Sequence, residues 1–177
     1  MRCVSLDEAG KAWDEFFAKA KKSVFKCEVL QDYTAVDMGP SLQAWYDGDK
    51  ELSVKLMIEA DRTNEWMKAY LARDIRKTRV HIVQQPYSPY LEWEIECYKR
   101  GHKGEDIFLA SSEELGSIKI PNGDYWIFDD SSVVEYAYVG LHGNPVGGYI
   151  YPPGSDIARF RLARDEALKH GELVART

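Results

Sequence analysis

The sequence predicts one α/β domain over residues 1–177, a mixed sheet flanked by helices, with the about five or six strands of a typical sheet. Helix-period and strand-period segments alternate through the first part of the chain, the order expected of βαβ units. Short strands separated by turn residues follow between Asp124 and Tyr151 and add antiparallel pairing. Apolar residues make up 45% of the chain and aromatics 12%, with five Trp and eleven Tyr. That payload packs a core, which disordered chains lack.

Ser5 opens the first helix. Ser5 and Glu8 have capping-box spacing, and Ala9, Trp13, Phe16, Phe17 and Ala20 recur at helical spacing behind them. Lys19, Lys21 and Lys22 crowd its end, where the helix dipole favours cations. SVFKCEVL, Ser23–Leu30, reads as a strand with Phe25, Cys27 and Val29 on one face. Gly39-Pro40 breaks the chain, and Pro40–Tyr46 reads as a short helix ending at Gly48. Residues 51–60 fit helix or strand. Thr63–Lys77 reads as a helix with Trp66, Met67, Tyr70, Leu71 and Ile75 on one side, followed by the strand Arg79–Gln84.

Ser88-Pro89 signals a helix start, yet the following LEWEIEC also alternates at the strand period; the cap and the Glu content favour helix over 90–99. Asp106–Ala110 is a short strand and Ser111–Ser117 a polar loop. Asp124–Phe128 and Val133–Val139 are strands joined by a turn at Asp129-Asp130-Ser131-Ser132. Asn144–Gly148 reads as another turn before Tyr149–Tyr151. Pro152-Pro153-Gly154 breaks the chain, and Ser155 caps a last helix with Ile157, Phe160, Ala163, Ala167 and Leu168 inward and Gly171 at its end.

The formal charge of −6, from 23 basic and 29 acidic residues, argues against a broad nucleic-acid footprint. No apolar run approaches a membrane span, and the first residues lack the apolar stretch of a secretory signal. The three cysteines are far apart and suit reduced thiols in a cytosol. The four histidines are isolated from one another, so no sequence-local metal motif arises. The glycine run around Gly143–Gly148 lacks the Gly-Lys-Ser/Thr ending of a phosphate loop.

Several residues carry chemistry. Asp129 and Asp130 are adjacent carboxylates that could hold a cation or split their pKa values, but Asp also builds tight turns, and strand neighbours point to opposite faces. Glu92, Glu94 and Glu96 supply an acidic set extended by Glu105 and Asp106, suited to a cationic partner or to a plain solvated face. His81, mid-strand between Val80 and Ile82, is a candidate general base or a structural histidine. A residual catalytic centre would use His81, Glu94 and Asp129. Tyr87, Tyr90, Trp93 and Trp126, with Asp130, form the candidate ligand or partner surface, although core packing explains most of these rings. Lys99, His102 and Lys103 belong to the densest basic stretch, and Arg73, Arg76 and Arg79 to a second. Both suit phosphate contact or, more plainly, a solvated loop and a helix end. Cys27 and Cys97 have apolar neighbours and read as core.

RVHIVQQPYSPYLEWEIE, GEDIFLA, DYWIFDD and ARFRLARDEAL together resemble an actinobacterial family catalogued as domain of unknown function 6879, over most of the chain from Phe16 to about Leu168. The resemblance implies a small single-domain protein, often encoded near helix-turn-helix regulators, and brings no established activity. A weaker likeness is to one half of the phospholipase D superfamily, in which a His-x-Lys precedes the Asp of a comparable hairpin. Here Asn122-Gly123-Asp124 stands at that place, so the likeness implies a scaffold without its nucleophile or its phosphate-holding cation.

These readings favour a non-catalytic regulatory or partner-binding protein of the bacterial cytosol, working with a helix-turn-helix regulator or another protein. A homodimer is compatible with them, and neither cofactor nor metal is expected. The alternative is a small-molecule-binding or catalytic domain in a biosynthetic or phosphodiester-processing pathway. Its mark would be a pocket where carboxylates and an imidazole converge.

Overall fold

The computed structural model describes residues 2–37, 39–100, 104–116, 119–140 and 142–176. Among these, α1 (Leu6–Lys19) is followed by β1 (Ser23–Glu28), then α2 (Thr34–Asp37), α3 (Pro40–Tyr46), α4 (Lys50–Thr63) and α5 (Glu65–Ala72). Next come β2 (Arg76–Val83), α6 (Pro89–Arg100), β3 (Asp106–Ser111) and α7 (Ser112–Leu115). The chain closes with β4 (Tyr125–Phe128), β5 (Ser132–Val139), β6 (Asn144–Tyr151), α8 (Ala158–His170) and β7 (Glu172–Ala175). The strands form one mixed sheet of seven, in the order β6-β5-β4-β1-β2-β3-β7. β1, β2 and β3 are parallel, and the remaining neighbours are antiparallel.

The expected caps hold α1 and α6. The Ser5 side chain accepts the Glu8 N–H while the Glu8 carboxylate accepts the Ser5 N–H, and the Ser88 hydroxyl accepts the Leu91 N–H at 3.1 Å. The α6 pattern thus resolves as helix. So does 51–60, because the Asp49 carboxylate caps α4 through the Leu52 N–H.

Five expectations are corrected. Thr63–Lys77 is not one helix: Asn64 ends α4 and caps α5, and β2 begins at Arg76, where it pairs with Ser23 of β1. The polar loop at 111–117 contains the single turn α7, which drops Leu115 into the core; Ser117 lies outside the described residues. Residues 144–148 are strand rather than turn. Gly147 and Gly148 are there because Val4 pairs against Gly148, and a Cβ on Gly147 would sit 2.2 Å from the Val4 carbonyl. α8 starts after Ile157 without a side-chain cap, the Asp156 carboxylate taking the Ala158 N–H instead of Ser155. Finally, α2 and the edge strand β7 were not anticipated, and β7 brings the sheet to seven strands.

Alternation along the central strands gives the sheet two unlike faces. Phe25, Cys27, Val80, Ile82, Ile127 and Val133 pack under Phe160, Ala163 and Ala167 of α8. Each fully buried large side chain of this kind contributes about 1.5–3 kcal/mol. On the other face, Val24, Trp126, Phe128 and Val134 pack against Trp13 and Phe16 of α1 and Tyr70 of α5. Beyond them α3, α4 and α6 close over Tyr33, Leu42, Met57, Tyr90 and Trp93. Between these two apolar clusters the second face carries charge. No helix among the described residues is long and apolar enough to cross a membrane.

Candidate functional site

Lys26 and Glu28 share the second face of β1, and the parallel register sets them beside Arg79 and His81 of β2. All four are in the sheet centre, where a strand covered on both sides is normally an apolar run. Arg79 binds two carboxylates: its Nε donates to Glu105 Oε2 at 3.0 Å, and its Nη1 donates to both Glu28 oxygens at 3.3 Å. Tyr70 donates to the other Glu105 oxygen at 2.5 Å. Glu28 also receives the Tyr98 hydroxyl at 2.8 Å and the Lys26 ammonium. Burial works against the charge on Glu28, but Arg79 and Lys26 outweigh it and hold the carboxyl well below its ordinary range. Burial likewise opposes the Arg79 charge, and the Glu105 and Glu28 carboxylates overcome it.

His81 is fully buried. Its Nε2 lies 2.7 Å from the Leu30 carbonyl, an acceptor only, so Nε2 carries a hydrogen. Its Nδ1 lies 3.3 Å from Glu94 Oε2 and 3.4 Å from the Tyr98 oxygen, whose own hydrogen goes to Glu28. Both neighbours of Nδ1 therefore present lone pairs; a second ring hydrogen bonds the Tyr98 oxygen and faces Glu94 Oε2 by charge alone. Burial lowers the imidazole's pKa, but the Glu94 and Glu28 charges and the Leu30 carbonyl more than reverse this and raise it to about 9. The ring is an imidazolium at neutral pH, with no lone pair to act as a base.

Asp124, at the start of the β4–β5 hairpin, is buried beside this cluster. It accepts the Val29 N–H at 2.9 Å, the Tyr33 hydroxyl at 2.7 Å and the Tyr138 hydroxyl at 3.0 Å. Burial and then the nearby Glu28 charge raise its pKa against the pull of Lys26 and these donors. Glu94 is 8% exposed, and its Oε2 has no hydrogen-bond donor. The 3.3 Å approach of His81 pairs the charges without hydrogen-bonding geometry.

Lys26, Glu28, Tyr33, Glu94, Asp124 and Tyr138 line a cavity of about 260 Å³, with Trp126 and Tyr136 in its wall and Leu6, Val36 and Pro145 beside them. Leu6 and Val36 are exposed and mark the mouth. The cavity lies along the carboxyl-terminal half of β1, the strand with a parallel neighbour on one side and an antiparallel one on the other. Ligand crevices of open α/β sheets lie near such carboxyl ends. Two roomier hollows, of about 370 and 600 Å³, are lined elsewhere by already paired groups, Arg159 with Glu135 and Arg164 with Asp130.

Of the three residues expected in a residual catalytic centre, His81 and Glu94 meet and Asp129 does not. Asp129 lies against Ser23, at the far end of β1 from Glu28, roughly 16 Å away at strand rise. Asp129 and Asp130 both have positive φ, 48° and 58°, in the tight β4–β5 turn. Burial opposes the Asp129 charge, but the Ser23, Lys21 and Lys22 N–H groups outweigh it and lower its pKa. Asp130 pairs with Arg161 and Arg164 of α8.

Tyr90 and Trp93 are core rather than surface, Trp93 donating to Ser41 at 3.0 Å. Tyr87 packs partly buried near Leu91, and Trp126 alone of the four rings reaches the cavity. The basic patch does not assemble. Arg79 is inside, and Arg73 spends its guanidinium on the Phe17 and Ala20 carbonyls at the end of α1. Arg76 and Lys99 are exposed on separate elements, and His102 and Lys103 lie outside the described residues. Cys27 and Cys97 are buried, and burial raises both thiols.

Sequence reasoning missed Lys26, Glu28, Tyr33 and Tyr138, and it saw Glu105 only as part of an acidic rim. The legible signal was Lys77, Arg79 and His81 at strand period beside a second strand with Lys26 and Glu28 at the same spacing.

The chain belongs to the family described as domain of unknown function (DUF6879), whose profile matches residues 11–176. Among curated proteins, nothing matches the chain.

Proposed function

We propose that this member of the family is a non-catalytic binding domain for a small polar molecule, whose occupancy a partner protein reads. The observation that carries this reading is the cavity in which Lys26, Glu28, Glu94 and Asp124 converge near a buried imidazole. Its volume of about 260 Å³ equals roughly nine waters at about 30 Å³ each, room for a metabolite fragment and not for a polymer.

The same residues weigh against catalysis. Glu28 already receives Lys26, Arg79 and Tyr98, and Asp124 receives three donors. His81 has no basic lone pair at neutral pH. A network engaged everywhere but at Glu94 Oε2 positions a ligand and has few groups left to move a proton. The helix-turn-helix partner remains a candidate reader. A phospholipase D-like ancestry fits a retained scaffold, with Asp124 turned to the Tyr33 and Tyr138 hydroxyls.

Thermal denaturation across a library of small polar metabolites tests this. A ligand present at a hundred times its Kd adds about 2.7 kcal/mol, a rise of roughly 5–10 °C for a domain of this size. Val36→Trp, at the exposed mouth, should abolish the rise without lowering the unliganded melting temperature. Absence of any saturable shift would overturn the binding reading, and conversion of a bound compound to product would overturn the non-catalytic one.

A further inference from the structure

We infer that the molecule held in the cavity carries an ammonium group on a short apolar tail. This rests on the binding reading above and specifies its ligand. Three carboxylates, Glu28, Glu94 and Asp124, line the space against one ammonium, Lys26. Lys26 is committed to Glu28 and lies 5.2 Å from the Trp126 ring centroid. Arg79 and His81 offset Glu28 and Glu94 from behind the lining, but the surface a ligand meets is mainly carboxylate and ill suited to an anion.

Glu94 shows where a ligand donor belongs. Its Oε2 is buried at the cavity and has no hydrogen-bond donor. A carboxylate oxygen has two acceptor directions, and a buried one left unfilled costs about 1–3 kcal/mol. A ligand N–H fills it. The aromatic rings in the wall, Tyr33, Trp126 and Tyr138, attract a cation further. Leu6, Val36 and Pro145 then meet the part of the ligand nearest the mouth, which must be apolar to match them.

A divalent metal is the competing cation, because one atom each of Glu28, His81 and Glu94 lies within 4.8 Å of the others. Glu28 disfavours it. Both its oxygens are taken by Lys26, Arg79 and Tyr98, so a metal would have to displace a guanidinium, strip a proton from His81 and settle beside the Lys26 and Arg79 charges. An ammonium needs only Glu94 and the rings.

The test is titration of the ¹⁵N-labelled full chain with n-butylammonium chloride, sodium butyrate, n-butanol and zinc chloride, each alone. The expected result is saturable shifts at Glu28, Tyr33, Glu94 and Asp124 with n-butylammonium, and binding at least tenfold weaker for butyrate and butanol. Glu94→Gln should weaken the amine at least tenfold, and Val36→Trp, on the exposed rim, should abolish it should the first variant fold poorly. Butyrate or butanol binding as tightly as the amine would overturn the ammonium assignment while leaving a ligand cavity. Zinc saturating the site where the amine does not would also overturn it. No response to any of the four would remove the ammonium assignment and leave the metabolite library to decide the broader reading.

Discussion

On β1, Phe25 and Cys27 turn toward α8 and meet Ile127, Val133 and Phe160, whereas Lys26 and Glu28 turn toward α6 and join a chain of paired charges. The same holds on β2, with Val80 and Ile82 on one side and Lys77, Arg79 and His81 on the other. One face is stabilised without direction by apolar area. The other depends on each donor finding its acceptor, because a buried charge without a partner is costly and a matched one contributes little net. The first face is built for stability, and the second gives up some of it for an arrangement of polar groups around a cavity.

Truncating each face separates the two mechanisms. Phe160→Ala should cost about 3–5 kcal/mol through lost burial and a cavity. Arg79→Met should cost a similar ~3–5 kcal/mol for a different reason, since it strands Glu28 and Glu105. Chemical denaturation distinguishes them. Adding Glu28→Gln and Glu105→Gln to Arg79→Met should recover part of the loss, and no recovery would mean that Arg79 acts by packing alone.

Next in size is a pH effect confined to the charged face. The unfolded imidazole titrates near its ordinary 6.5 and His81 in the fold near 9. A raised pKa stabilises the fold in the protonated state. The contribution is complete below pH 6.5 and disappears as pH rises through 9, by about 3 kcal/mol at most. Denaturation of the native chain against His81→Gln between pH 6 and 10 should show the difference narrowing on the alkaline side. A constant difference would contradict the charged ring.

The smallest effect should come from outside both faces. Asp129→Asn keeps the turn but weakens acceptance of three backbone N–H groups, a loss of about 1–2 kcal/mol. Ligand affinity at the cavity should not change. A tenfold loss would return Asp129 to the site.

Much of the apolar face could be read from the sequence, because Phe25, Cys27, Val80, Ile82 and the α8 residues follow plain strand and helix periods. The charged face was hidden by the same rules. Lys77 and Arg76 looked like the basic end of a helix, although Lys77 lies in β2 and donates to the Arg73 carbonyl left open where α5 ends. His81 and Glu94 were visible as candidates, but their meeting depends on α6 crossing β2, a relation between elements that no local spacing encodes. Asp124 stood out only as the wrong charge for a phosphate site; its hydroxyl partners come from Tyr33 and Tyr138, far away in sequence. The glycines at 147 and 148 suggested a turn because the close approach that requires them is made by Val4, at the other end of the chain.

The protonation state of His81 tests the central claim most directly, since the proposed non-catalytic site requires a cation with both ring nitrogens protonated. Long-range ¹H–¹⁵N correlation spectra of the imidazole at pH 7 report it. Two protonated ring nitrogens, with a titration midpoint near 9, are the expected result. A bare nitrogen at pH 7, with a midpoint below 7, would show an available base beside Glu94 and contradict the non-catalytic reading.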